Sequence, residues 1–254
     1  MNLYVCKTAQ DLGRHAASMA AQKLREAIAA NGSARLVLST GASQLTTLEP
    51  LLLEDVDWTK VTLFHLDEYC DLPITHKASF RKYLTERFIS KISLAAAHLV
   101  DGNPASIPAL SALLREKPID LGLIGIGENA HIAFNDPPAD FDTTEAYIAV
   151  RLAEECKQQQ VNENWFPTLA DVPTHAITMT AREILKCQTI ISCVPYAAKA
   201  VAVQKTMMSE LSNMIPSTLL HTHGNWHLFV DADSAALLDK NALDNKCGVC
   251  VNNL

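Results

Sequence analysis

The chain has 254 residues, a net charge of −7 and a pI near 5.7, which excludes a broadly basic surface for nucleic acid. Apolar residues make up 48%, ample for the core of one large domain or two small ones, and no apolar run reaches membrane-spanning length. The N-terminus lacks a signal-peptide pattern, and the seven cysteines are odd in number and scattered, as reduced thiols are, so a soluble cytosolic protein is expected.

Met1 to Cys6 reads as a first strand. Thr8 can cap the helix that follows, with Leu12, Ala16, Met19, Ala20, Leu24 and Ile28 at helical spacing, and Asn31-Gly32 stops it. Leu36 to Leu38 is a second strand. It ends in Ser39-Thr40-Gly41-Ala42-Ser43, and a helix begins near Gln44. A strand, a small-residue loop and a helix N-terminus together can hold an anion, because free amides and the helix dipole face the loop. An ordinary loop with a serine cap fits equally well. Gly-Lys-Ser/Thr is absent, so this is no Walker loop.

Val61 to Phe64 is a third strand, running into His65-Leu-Asp67-Glu68-Tyr69. Asp67 and Glu68 at a strand's carboxyl end are candidate catalytic acids, with solvated loop acids as the plain alternative. If Phe64 and Leu66 face inward, alternation turns Asp67 to the other face from Leu66. Ser79 to Ile89 is expected to be helical, His98 to Val100 a short strand, and Ile107 to Leu114 a helix.

Ile119 to Ile124 is a short apolar strand leading into Gly125-Ile-Gly127-Glu128-Asn129-Ala-His131, and Asp136-Pro137 follow. Gly125 and Gly127 let a ligand approach the backbone. Gly127, Glu128 and Asn129 are therefore candidate ligand contacts. His131 can move protons near neutral pH, and Asp136 can orient it. A packed, hydrogen-bonded histidine is the other reading. A dinucleotide fingerprint fails on length, since Pro137-Pro138 leave barely two turns for a crossover helix.

Tyr147 to Leu152 resembles a strand, 153–161 a polar helix, and 162–173 an ordered loop or lid. Strands are expected at His175 to Met179, Thr189 to Val194 and Trp226 to Val230, and short helices at Ala181 to Lys186, Pro216 to His221 and Ser234 to Leu238. Pro195 suits the first turn of a helix from Tyr196 to Met207. Lys199 in that turn opposes the helix dipole, which an anionic ligand would offset. Cys247-Gly-Val-Cys250 lacks a second pair, so no metal or redox centre is read there. Alternating strands and helices, with no linker or repeat, indicate one α/β domain over 1–254: a three-layer, doubly wound, mostly parallel sheet.

The chain resembles the glucosamine-6-phosphate deaminase/6-phosphogluconolactonase superfamily, on the deaminase side, from Leu38 to Val230. Leu38-Ser-Thr-Gly41 with Thr46-Thr47 is similar to the family's phosphate loop. Leu66-Asp67-Glu68-Tyr69 with Leu72-Pro73, His76 and Ser79 is similar to a deaminase run. His131-Ile-Ala-Phe-Asn-Asp136-Pro137 is similar to the deaminase histidine signature.

The resemblance implies isomerisation of a hexosamine 6-phosphate (glucosamine 6-phosphate or its galacto epimer) to a ketose phosphate, with release of ammonium. It implies Asp67 as the base moving a proton between C2 and C1, His131 in ring opening, and Asp136 orienting His131, with Glu68 a further catalytic candidate. Thr40, Gly41, Ala42, Ser43 and Lys199 would bind the phosphate. No metal or organic cofactor is implied, and no nucleic-acid or membrane partner; a homo-oligomer is compatible. Four differences from the family pattern stand out. Asn129-Ala130 replaces the usual Asp-Gly, and Asp136 replaces a Glu. Lys157-Gln158-Gln159 lies where a phosphate-binding arginine is expected. Basic residues of the family's allosteric site are missing after Pro137, so activation by an acetylated sugar phosphate is not expected. A lactonase and a non-catalytic sugar-phosphate sensor are the competing readings.

Overall fold

The computed structural model describes residues 1–162, 164–239 and 248–254. β1 (Asn2–Cys6) leads to α1 (Ala9–Asn31). Thr8 accepts the amide of Asp11 to cap α1, and Gly32 at φ +74° ends it. β2 (Ala34–Leu38) and α2 (Leu45–Leu51) follow, then β3 (Val61–His65), the short β4 (Asp67–Tyr69) and α3 (Phe80–Arg87). Next come β5 (Ala96–His98), α4 (Ile107–Arg115) and β6 (Leu121–Leu123). The second half holds β7 (Tyr147–Arg151), α5 (Glu154–Asn162), β8 (His175–Met179), α6 (Ala181–Ile184), β9 (Thr189–Val194), α7 (Ala200–Met208), β10 (Trp226–Asp231) and β11 (Cys250–Asn253).

Eight strands form one sheet in the order β11-β1-β10-β9-β6-β2-β3-β5, every pair parallel. Period-2 alternation sends side chains to both faces. Leu36 and Leu38 pack with Leu24 of α1 and Leu48 of α2, whereas Val37 joins the opposite cluster with Leu114 of α4 and Val203 of α7. Each such buried Val or Leu contributes roughly 1.5–3 kcal/mol. β3 and β5 lie on one side of β2, and the chain then returns to place β6 on the other. The reversal opens a crevice at the strands' carboxyl ends.

β4, β8 and β7 form a separate antiparallel sheet, which the sequence reading did not anticipate. The chain leaves the main sheet at Leu66, whose carbonyl accepts the amide of Met179. Asp67 then pairs with Thr178 across the new ladder. Other expectations also shift. The strand expected at His98 to Val100 is Ala96–His98. The helix expected to run to Lys186 ends at Ile184. Tyr196 sits at φ +81°, so Pro195 lies outside the helix; a 3-10 turn over Ala197–Lys199 precedes α7, and Lys199 is its N-cap. The segment from Ser234 to Leu238 is turn rather than helix. Asp231 holds it by accepting the Ser234 and Ala235 amides. The edge strand β11 went unread, and Cys247 lies outside the described residues. Among the described residues no helix is long and apolar enough to cross a membrane.

His65, at the end of β3, is fully buried, and neither ring nitrogen has a hydrogen-bond partner among the described residues. Burial, with Arg81 adding, pushes its pKa from 6.5 down to about 3. The unfolded chain therefore binds a proton below pH 6.5 that the folded chain refuses until about pH 3. Stability is lost as pH falls through that window, by about 1.4 kcal/mol per unit from this group. His65→Leu removes both the orphaned nitrogens and the slope. Urea unfolding of both proteins across that window should show the variant's advantage growing as pH falls; parallel curves would refute the assignment.

Candidate active site

A cavity of about 440 Å³ opens at the carboxyl ends of β2, β3, β6 and β9. Its floor includes the loop after β2. There Gly41 adopts φ +117°, a conformation that side chains with a Cβ rarely take. Its carbonyl accepts the Tyr83 hydroxyl at 2.8 Å, tying the loop to α3. Ser39 Oγ accepts the Gly125 amide at 3.1 Å, joining the loops after β2 and β6. Gln44 is buried and donates to the Cys193 carbonyl at 3.1 Å, joining the loop to β9. Thr40, Gly41, Ala42 and Ser43 all line the cavity, as does Lys199 at the start of α7.

Asp67 lines the same cavity and is 5% exposed. Burial, then the charges of Glu68 and Asp136, push its carboxyl well above the usual carboxylate value, against a backbone hydrogen bond from Phe134. Such an acid is a stronger base than a solvated one.

His131 also faces the cavity, with Gly127 and Glu128. The loop carrying it is tight: the Gly127 amide donates to the His131 carbonyl at 2.9 Å, and the Ala130 amide to the Gly127 carbonyl at 3.0 Å. Ala130 takes φ +67° to allow this. A Cβ on Gly127 would stand 2.3 Å from the His131 ring. Glycine at 127 is therefore the space the imidazole occupies. Asn135, buried, donates to the Ile132 and Met179 carbonyls and accepts the Ala181 amide, which anchors the loop to β8.

His131 Nδ1 lies 3.0 Å from Asp136 Oδ1, but its N–H does not point along that line. Asp136 Oδ1 also accepts the Asn129 side-chain amide at 2.9 Å, while Asn129 Oδ1 accepts the His131 backbone amide at 3.1 Å. Burial pushes Asp136 up, but His131, Asn129 and the Cys156 thiol together outweigh it and hold the carboxyl below its usual value. Asp136 is thus a fixed anion behind His131.

The cavity unites Asp67 with His131, although the two are far apart in the chain. It excludes three other candidates from its wall. Asp136 and Asn129 stand behind His131, so Asn129, expected as a ligand contact, acts on the loop instead. Glu68, expected as a catalytic candidate, has no exposed surface. Its oxygens are taken by the Tyr69, Phe80 and Arg81 amides, Ser79 Oγ and Arg81 Nε, so it is a structural anchor. Lys157, near the expected arginine position, pairs with Glu154 at 3.2 Å and does not line the cavity. The sequence reading missed Lys77, Tyr83, Gln160 and Trp165, which do. Tyr83 falls in the helix expected from Ser79 to Ile89 and Trp165 in the loop or lid expected over 162–173, but no motif marked any of the four as a cavity residue. Among the described residues no group of three or more His, Cys, Asp or Glu is placed to hold a metal ion.

A family model described as glucosamine-6-phosphate isomerases/6-phosphogluconolactonase matches residues 7–228. A glucosamine-6-phosphate deaminase of Latilactobacillus sakei subsp. sakei (strain 23K) is 32% identical over 215 residues, covering 83% of this chain and 90% of the relative. The solved structure of a monomeric glucosamine-6-phosphate deaminase superposes with a TM-score of 0.86 at 28% identity, covering 94% of this chain and all of that one. The structure of a putative 6-phosphogluconolactonase from Neisseria gonorrhoeae FA 1090 superposes with a TM-score of 0.71 at 21% identity, covering 91% of this chain and all of the other, a likeness of fold.

The close fit between Gly127 and His131 makes a test independent of activity. Gly127→Ala should fold, with a loss of about 1–3 kcal/mol from overpacking, and should displace the His131 ring. Ring nitrogen–proton correlations in NMR should move for His131 and stay put for His223 and His227, which lie elsewhere. An unmoved His131 signal would show that the ring does not pack on residue 127.

Proposed function

This chain belongs to the family of glucosamine-6-phosphate isomerases and 6-phosphogluconolactonases, and on that premise we propose that it is a deaminating isomerase of hexosamine 6-phosphates. Glucosamine 6-phosphate, named for its relatives, is the leading substrate. The products are a ketose 6-phosphate and ammonium. The observation that carries the reading is the meeting of Asp67 and His131 in one cavity walled by residues 40–43 and Lys199.

In this reading the amides and hydroxyls of Thr40, Gly41, Ala42 and Ser43, with the Lys199 ammonium, hold the phosphate and fix the sugar. Gly127 and Glu128 contact the sugar near His131. His131 takes the anomeric hydroxyl proton and returns a proton to the ring oxygen, which opens the ring. Asp136 supports the positive charge that forms on the imidazole. Asp67 removes the C2 proton and gives an enolamine, then delivers the proton to C1. The resulting C2 iminium adds water and releases ammonium, leaving the ketose. Its raised pKa suits Asp67 to this task, because basicity grows with pKa. All the named groups come from one chain treated as one domain, so the chemistry needs no partner subunit. We place the protein in the cytosol, where reduced cysteines and a sugar-phosphate substrate belong.

Asp67→Asn tests the assignment. Ammonium release from glucosamine 6-phosphate should fall about 100- to 10,000-fold, while the ligand still raises the melting temperature. In the native protein kcat/KM should decline on acidification, because Asp67 must be unprotonated, and this limb should lie above the ordinary carboxylate range. Undiminished release by the variant removes Asp67 from the mechanism.

A further inference from the structure

We infer that Lys77 is a second cationic contact for the anionic end of the ligand, set in the seam between the cavity and its lid. The inference rests on the sugar-phosphate reading above. Lys77 lines the cavity, as Lys199 does. Its Nζ donates to the backbone carbonyl of Asn164 at 2.6 Å. Among the described residues no carboxylate lies within ion-pair distance of that nitrogen. A carbonyl occupies one of the three ammonium donors and neutralises none of its charge. Two donors and a full positive charge remain for a ligand at the cavity wall.

The position fits an anion rather than the reacting carbons. α5 begins beside Asp136, where Cys156 meets its carboxylate. At 1.5 Å per residue, Asn162 lies about 9 Å further along, and the Lys77 contact is two residues beyond. Lys77 therefore meets the chain just past the C-terminal end of α5, whereas Cys156 near its start meets the Asp136 behind His131. Tyr83, one turn into α3, binds the Gly41 carbonyl, so the segment carrying Lys77 is fixed to the phosphate loop. His76 stacks on Phe166 of the lid at 5.0 Å, a second tie across the seam next to Lys77. The rival cation Lys157 is engaged by Glu154 and does not line the cavity.

Lys77→Met and Lys77→Arg test this, with ammonium release measured on glucosamine 6-phosphate and calorimetric binding of inorganic phosphate. Loss of a charge-assisted contact should raise KM and the phosphate Kd about tenfold or more, with kcat changed by about twofold or less. Arginine should restore both affinities, since it keeps the charge. A lid tie alone would lower kcat in Lys77→Met and leave phosphate affinity at the native value, and that result overturns the inference. The functional reading fails separately. If the native protein releases no ammonium, weakened phosphate binding in Lys77→Met still upholds the anion contact, and unchanged binding refutes it.

Discussion

The candidate site depends on a buried carboxylate that does not line its cavity. Glu68 is fully enclosed and accepts hydrogen bonds from Tyr69, Phe80 and Arg81 amides, from Ser79 Oγ at 2.8 Å and from Arg81 Nε at 3.1 Å. Burying a lone charge costs several kcal/mol, and a charge met by this many aligned donors recovers it. The arrangement docks the first turn of α3 against β4. It also sets Asp67, because strand alternation turns adjacent residues to opposite sides. With Glu68 committed to α3, Asp67 has to face the cavity. Glu68's negative charge then contributes, after burial, to the raised pKa of Asp67. One structural anion thus both positions and tunes a neighbouring functional one.

The loop after β6 works by a different principle, the exclusion of volume. Gly127 has no Cβ because the His131 ring occupies that space, and Ala130 is driven to φ +67° to complete the turn. Asn129 then becomes intelligible. A second carboxylate 2.9 Å from Asp136 would raise the pKa of one of the pair. An amide at that distance donates instead and helps hold Asp136 ionised. The amide's oxygen also binds the His131 backbone, so one uncharged residue fixes both the histidine and the acid behind it. The shorter Asp136 still reaches 3.0 Å from Nδ1, though out of line with the N–H.

Much of this was legible from the chain alone. Apolar runs marked β2, β3, β6 and β9, and the loops after them carried the residues that meet in the cavity. A strand buried on both faces has no partner ambiguity that hydrophobicity must resolve. The missed features share a physical cause. β4 is three residues long and carries Asp-Glu-Tyr, so its burial follows from its partners β8 and α3 rather than from its own composition. β11 gains its order from pairing with β1. Glu68 looked like a twin of Asp67 because sequence shows charge but not the donors that neutralise it. Lys77 drew no reading because its contact is with Asn164, far along the chain.

The electrostatics of the cavity follow from these placements. The chain as a whole is acidic, at −7, so long-range attraction of an anion is weak and screened beyond about 8 Å at physiological salt. Capture of a phosphate must therefore come from contacts inside the cavity. The acids Asp67 and Asp136 gather around the strand ends near His131, whereas Lys199 and Lys77 sit at the start of α7 and beneath the lid. A ligand with an anionic tail and a cationic amino group fits this division in one orientation only. Reversed, it would turn its phosphate toward Asp67 and its ammonium toward two lysines. At a few ångströms and low effective dielectric, each such like-charge contact costs on the order of several kcal/mol. On the proposed reading, the order of charge along the cavity sets which end of the sugar lies beside Asp67.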